Sequence, residues 1–234
     1  MSMEITNNET DGIVVWEPVF RDELVTFGGA DTFLRGTILA RKSVEDAVVI
    51  ADVGTPTGNG TVTLGTVVAG QVVPIVGAYV LECVEAIADG GVFKLEDPNG
   101  AQVAGNLTLT VGAGGATVFE AAGLQFTVTD GSTNFALGDG YTLTVAVDGK
   151  MVPFATDGAG GAQIPKQVIR DALTATGAGD LPCRPIVSGQ VRAGDLVIDG
   201  TAAGVGITDA IIDQLRDFGI IAMATTQRAE LDNQ

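Results

Sequence analysis

The sequence predicts a mainly β protein with one short helix near its C-terminus. Three observations carry that prediction. Glycine occurs 33 times in 234 residues while aromatic residues make up only 5%, so turns are plentiful and large rings do not build the core. Short runs of alternating apolar and polar residues, separated by Asn-Gly, Asp-Gly or Gly-Gly, fill residues 54–148, the pattern of antiparallel strands with one face in water. A single stretch, TDAIIDQLRDFG at 208–219, combines a capping residue, an apolar stripe and a terminal glycine.

Residues 1–30 read as an extended N-terminal arm: IVVWEPVF at 13–20 follows a polar dozen and shows no long amphipathic spacing. The competing reading is a first strand packed on its own core. DTFLRGTILA at 31–40 alternates and ends in a β-branched run, the mark of a strand, and SVEDAVVIADV after it is β-rich. From residue 54 the texture changes to GTVTLGTVV, AYVLECVEA, GVFKLED, NLTLTV, ATVFEA, LQFTVTD and YTLTVAVD. About seven strands in so short a span signal an antiparallel sandwich or small barrel. In LQFTVTD the strand period sets Leu124, Phe126 and Val128 on one face and Gln125, Thr127 and Thr129 on the other.

Asp148-Gly149 then reads as a hairpin-like turn before MVPF at 151–154, which has two candidate partners: YTLTVAV just before it, or RGTILAR at 35–41. Beyond 154, prolines at 165, 182 and 185 and the turns Ser188-Gly189 and Ala193-Gly194-Asp195 punctuate further strands. Thr208 caps the helix, Asp209 and Asp213 lie towards its positive end, and Ile211, Ile212, Leu215 and Phe218 form the stripe. Gly219 stops it. IIAMATTQ reads as a last strand and RAELDNQ as a frayed tail.

The net charge is −17, from 29 acidic and 12 basic residues, and no block of Lys or Arg forms the basic footprint that phosphate binding requires. Direct nucleic-acid binding is therefore not expected. The acidity reads as solubility, with self-repulsion when copies assemble. No charge-free apolar run reaches the roughly 18 residues of a membrane span, so no membrane partner is expected. MSMEITNNETDG has neither a basic n-region nor an apolar h-region, and residence in a cytosol is the expectation.

Histidine is absent, which removes the commonest general base and the usual partner of a Ser or Cys nucleophile. Cys83 and Cys183 sit in no Cys-x-x-Cys or Cys/His spacing, so zinc lacks ligands and both read as buried or half-buried thiols. TDGSTNFALGDGY and ATDGAGGAQ carry closely spaced Asp, as calcium loops do, but neither fits the EF-hand pattern. Tight turns at Asp130-Gly131 and Asp139-Gly140, with φ > 0, explain them more simply. GAGGA at 112–116 and again at 158–162 lacks the strand, helix and Lys-Ser/Thr of a phosphate loop. The carboxylate pairs Glu82 with Glu85 and Asp213 with Asp217 read as solvated faces. No enzyme is expected, and no catalytic, cofactor-binding or metal residue is assigned.

FGGADTFLRGTILAR at 27–41, DGKMVPFATDGAGGAQ at 148–163, QVIRDALTATGAGDLPCRPIVSGQVRAGDLVI at 167–198 and DAIIDQLRDFGIIA at 209–222 together resemble the lambda-like head decoration protein family of tailed phages. The resemblance covers both ends of the chain. It implies a small β-rich domain with a short C-terminal helix that trimerises on the outer capsid surface and clamps neighbouring copies of the major capsid protein. On that analogy RGTILAR and MVPF share one discontinuous capsid-decoration domain, 31–53 with 149–234, interrupted at 54–148 by an inserted antiparallel β-sandwich. The small members of the family lack such a block. Its exit, F-x-L-G-D-G-Y-T-L-T-V, resembles immunoglobulin-like modules of phage structural proteins, and insertion at a loop whose ends are close is physically cheap.

The implied role is a cementing one: a homotrimer on the virion surface, made in the host cytoplasm, opposing the pressure of packaged DNA. The alternative is a phage tail or surface adhesin whose sandwich binds host glycan or protein. A carbohydrate-active fragment is disfavoured because no carboxylate pair in a groove is evident. Within the arm, Trp16, Pro18 and Phe20 are the candidate capsid contact, expected to dock as an added strand on a neighbouring sheet edge without a role in folding.

Overall fold

The structure, a computed structural model, describes residues 13–110 and 114–224. It opens with β1 (Val14–Phe20), β2 (Glu23–Phe27) and β3 (Asp31–Phe33), followed by the 16-residue β4 (Ile38–Val53). The single strand expected over 31–40 is thus broken. Gly36 takes φ +90° in a turn where the Thr37 amide donates back to the Leu34 carbonyl at 3.1 Å, a conformation that costs glycine little and other residues much. Next come β5 (Thr61–Val67), β6 (Gly77–Ile87), β7 (Gly90–Glu96), β8 (Gln102–Thr110), β9 (Ala116–Ala121), β10 (Leu124–Thr129) and β11 (Gly140–Pro153). β12 (Pro165–Val168), β13 (Leu173–Ala175), β14 (Gly179–Cys183), β15 (Ile186–Arg192), α1 (Asp209–Asp217) and β16 (Ile220–Met223) complete it. The protein is mainly β, with one short α-helix near the C-terminal end of the described residues.

The chain divides into two compact units, one of Met1–Arg41, Lys150–Thr156 and Ala162–Gln234, the other of Lys42–Gly149 with Asp157–Gly161. The first break therefore lies inside β4, twelve residues before the composition change at 54. The reason is that β4 runs on without interruption and its Val44 and Val48 are buried in the second unit's core. The return is also inside a strand. β11 continues through Asp148-Gly149, with Gly149 at φ +77°, so the hairpin read at that pair does not form and YTLTVAV and MVPF belong to one strand. Asp157–Gly161 joins the second unit because the Gly160 carbonyl accepts from the Ser43 amide at 2.7 Å and the Val44 amide at 3.3 Å.

In the first unit, MVPF lies with RGTILAR. The Phe154 amide donates to the Ile38 carbonyl at 2.9 Å, and Met151 stands opposite Val25 of β2 in parallel register. Strand alternation explains why ILA at 38–40 is an unbroken apolar run, since both faces are covered. Ile38 and Ala40 join a core with Val168, Ile186, Val191, Leu215 and Ile220. Leu39 joins the opposite one, with Val25, Phe27, Phe33, Met151 and Ile169, where the Phe27 and Phe33 rings stack at 4.0 Å. Ile38 and Leu39 are both fully buried, a contribution of about 1.5–3 kcal/mol each.

The segment read as an arm is part of this unit. β1 pairs antiparallel with β15, and Ile13 and Val14 are buried in the same core as Ile38; the rest of the predicted arm forms β2, which pairs with β14 and β11. A largely apolar segment gains more by satisfying its backbone on β15 than by waiting for a partner. Residues 1–12 lie outside the described residues. At the other end, the Thr208 hydroxyl accepts from the Ile211 amide at 3.4 Å, α1 buries Ile211 and Leu215, and Gly219 follows at φ +86°. Phe218, expected in the stripe, is 41% exposed, with Lys166 over its ring.

The second unit sets two antiparallel arrays around one core. β4, β5, β10 and β9 form one; β11, β6, β7 and β8 form the other. Val62, Leu124, Phe126 and Val128 from the first array meet Tyr79, Leu81, Phe93, Leu95, Tyr141 and Leu143 from the second. The face predicted for LQFTVTD is the buried one: Leu124, Phe126 and Val128 are all 0% exposed.

Candidate functional site

β1 ends at Phe20, whose Cα is in register with Ile186 at the start of β15. Two arginines approach the half-buried Phe20 ring, Arg170 at 5.1 Å and Arg184 at 5.8 Å from its centroid. Arg170 follows β12, and Arg184 sits between β14 and β15, so sheet pairing brings together residues far apart in sequence. Beside them is a cavity of about 370 Å³ with an apolar floor that includes Ile169, Leu173, Pro182 and Pro185. Cys183 lines it too, and burial, with the Glu23 charge as the smaller cause, pushes that thiol up to about 11. It is therefore a protonated, unreactive group at neutral pH.

The charges of this region are partly committed. Arg184 Nε meets Asp22 Oδ1 at 3.3 Å. Glu23 Oε1 takes Arg41 Nη2 at 2.6 Å and Arg21 Nε at 3.3 Å. An apolar floor with guanidinium groups above it can receive a partner's apolar side chain flanked by a carboxylate. Two carboxylates, Asp22 and Asp171, also line the cavity, facing Arg184 at 3.3 Å and Arg170 at 3.9 Å.

Of the three residues singled out from the sequence, Phe20 is tied to this cavity through the two lining arginines over its ring. Trp16 is placed by its backbone opposite Gln190, and Pro18 is half-buried. Pro18 fits its position, because among the described residues β1 pairs only with β15 and a proline is tolerated where no outer neighbour needs its N–H. The expected docking mode is corrected accordingly: β1 is not an arm that adds to another sheet, and what it presents is its own outer edge. Arg170, Arg184 and the cavity floor were missed in the sequence. VIRD and CRP carry no spacing signal, and only the β12–β15 and β2–β14 pairings bring them together.

The acidic loops also differ from expectation. Asp139 is buried and spends both oxygens on amides: Oδ1 accepts from Thr57 at 2.7 Å, and Oδ2 from Gly58 at 2.9 Å and Ala136 at 2.8 Å. Burial alone would raise its pKa, but these three donors outweigh it and hold the carboxyl below its usual value. Neither Asp130-Gly131 nor Asp139-Gly140 takes positive φ; that role falls to Gly138 at +87°. Gly131 is instead packed against Asn59, leaving no room for a Cβ. Of the first GAGGA, residues 112 and 113 lie outside the described residues, while Gly160 of the second clamps onto β4. Glu82 is paired with Lys94 at 2.9 Å and Asp213 with Arg216 at 2.7 Å. Among the described residues no group of three or more His, Cys, Asp or Glu is placed to hold a metal, and no helix is long and apolar enough to cross a membrane.

No family model matches the sequence, and no curated protein matches it. Among solved structures, two crystal forms of FlgL from Xanthomonas campestris are similar over part of the fold, each with 20% identity and a TM-score of 0.32. They cover 50% and 47% of this chain. The chain spans about a third of FlgL's own length, 34% and 32% in the two forms.

Proposed function

We propose that this chain is a phage capsid decoration protein that binds the outer surface of the head as a homotrimer and stabilises it against internal pressure. The observation that carries the reading is the Phe154–Ile38 hydrogen bond at 2.9 Å. RGTILAR and MVPF, more than a hundred positions apart, are neighbours within one discontinuous unit, as the resemblance to the lambda-like family requires. The outer edge of β1 and the apolar cavity beside Phe20 supply a surface of the kind that strand addition and side-chain anchoring use. The second unit, Lys42–Gly149, is then an immunoglobulin-like insertion carried on that scaffold.

The test is binding of the full-length protein to expanded, undecorated shells of the major capsid protein from the same genome, compared with binding to intact host cells. Co-sedimentation with shells, saturating at a fixed ratio to capsid subunits, is expected. Binding to cells with none to shells would favour the adhesin reading instead. Arg184→Ala removes a guanidinium from the Phe20 ring and is expected to weaken shell binding roughly tenfold, about 1.4 kcal/mol.

A further inference from the structure

Two Asn-Gly pairs fall in the second unit, Asn59-Gly60 and Asn99-Gly100. Such a pair is chemically labile as well as turn-forming. The glycine amide nitrogen can attack the carboxamide carbon of the preceding asparagine, because glycine has no side chain to block the approach and reaches backbone angles that other residues avoid. What holds the pair in place decides whether it reacts.

Asn99-Gly100 is the tip of the β7–β8 hairpin. The Asp97 amide donates to the Ala101 carbonyl at 2.8 Å and the Gly100 amide to the Asp97 carbonyl at 2.9 Å, so Pro98 and Asn99 form the centre of the turn. Asp97 Oδ1 accepts from the Asn99 amide at 2.8 Å and the Ala101 amide at 2.9 Å. Asn99 and Gly100 are both exposed, and a Cβ placed on Gly100 would meet nothing within 4 Å. The Asn99 carboxamide makes no hydrogen bond among the described residues. A single backbone hydrogen bond, at an exposed loop tip, therefore restrains the Gly100 nitrogen from the Asn99 side chain.

Asn59-Gly60 is held at both members. Asn59 Oδ1 accepts from the Thr133 amide at 2.7 Å, its Nδ2 donates to the Ser132 hydroxyl at 3.0 Å, and its backbone amide donates to the Thr133 carbonyl at 3.2 Å. Gly60 is buried against the Phe135 ring, where a Cβ would not fit, and its carbonyl accepts from the Tyr141 hydroxyl at 2.7 Å. Turning the Asn59 carboxamide onto the Gly60 nitrogen breaks both side-chain bonds in a crowded setting.

We infer that Asn99 is a site of spontaneous covalent modification, converted to aspartate and isoaspartate with loss of ammonia, while Asn59 is protected despite having the same neighbour. The Gly100 nitrogen bonds to Asn99 Cγ and gives up its proton, the Cγ–Nδ2 bond breaks, and the nitrogen leaves as ammonia, closing a succinimide ring. Water then opens the ring. Attack at Cγ restores the original main chain with an aspartate; attack at the main-chain carbonyl carbon leaves the chain running through the side chain as isoaspartate. Nothing is oxidised or reduced. Either product adds a negative charge to a chain already at −17, and isoaspartate also lengthens the hairpin tip by one carbon, displacing the amides that Asp97 Oδ1 holds.

The test is peptide mapping by mass spectrometry of full-length protein aged in mildly alkaline buffer made with oxygen-18 water, folded and in urea, with isoaspartate scored by isoaspartyl methyltransferase labelling. In the folded protein the peptide holding Asn99 is expected to gain labelled acid, and the peptide holding Asn59 at least about tenfold less. In urea, where the sequence neighbour alone acts, the two are expected to react at comparable rates. Asn99→Gln, whose longer side chain closes the ring far more slowly, is expected to abolish the isoaspartate signal of that peptide. Equal rates at the two asparagines in the folded protein, an unmodified Asn99 over times in which the urea-unfolded chain reacts, or an undiminished signal in Asn99→Gln would overturn the assignment.

Discussion

A chain lacking residues 1–20 is expected to lose the cooperative folding of the unit to which β1 belongs. The deletion removes Ile13 at 0% exposure and Val14 at 7% from the core, roughly 3–6 kcal/mol at about 1.5–3 kcal/mol per buried aliphatic side chain. It also strips β15 of one of its antiparallel partners, leaving backbone groups unpaired beside the apolar residues that β1 covered. Against a total stability of about 5–15 kcal/mol, that loss is decisive. Urea unfolding followed by circular dichroism is expected to show either no folded baseline for this unit or a sharply lowered midpoint. An unchanged midpoint would restore the independent-arm reading. The milder Ile13→Ala is expected to cost about 2–4 kcal/mol, enough to confirm the direction if the deletion fails to express.

The second large effect is expected at Asp139. Its carboxylate is the acceptor for three amides, of Thr57, Gly58 and Ala136, and thereby ties the loop before β5 to the loop before β11. Asp139→Ala leaves those donors without an acceptor in a buried setting, and the expected loss is roughly 3–5 kcal/mol for the second unit. Because folding holds this carboxyl below its ordinary value, the unfolded chain takes up the proton first as pH falls. The stabilisation is complete above the unfolded value of about 3.9 and disappears as pH drops through the folded value below it. Asp139→Asn, which keeps one acceptor oxygen, is expected to lose less at neutral pH and to remove this part of the acid dependence. Chemical denaturation at pH 7 and at pH 3 checks both statements; equal losses for Asn and Ala, or an unaltered acid profile, would contradict them.

Periodicity was legible wherever one face of a strand is wet, as in β10, and at α1, where Thr208, Ile211, Leu215 and Gly219 each do what their types suggest. It failed at chain connections. Asp148-Gly149 has the composition of a turn but lies within β11, since a glycine at φ +77° can distort a strand as readily as end it. The unit boundary at Arg41–Lys42 leaves no mark in composition because it falls inside a strand with apolar residues on both sides of it. IVVWEPVF was ambiguous for a related reason: an edge strand and a free arm differ in whether a distant strand, here β15, is available to pair. The candidate site was hardest to see. Phe20 could be picked out as an apolar residue in that segment, whereas Arg170, Arg184 and the cavity floor converge only through pairings among β2, β12, β14 and β15.

Cryo-electron microscopy of expanded shells of the corresponding major capsid protein, mixed with full-length protein, tests the central proposal most directly. The decoration reading predicts additional density on the outer surface at local three-fold positions, three copies at each. Shells that remain bare at saturating protein, or isolated copies away from every three-fold or quasi-three-fold position, would contradict it.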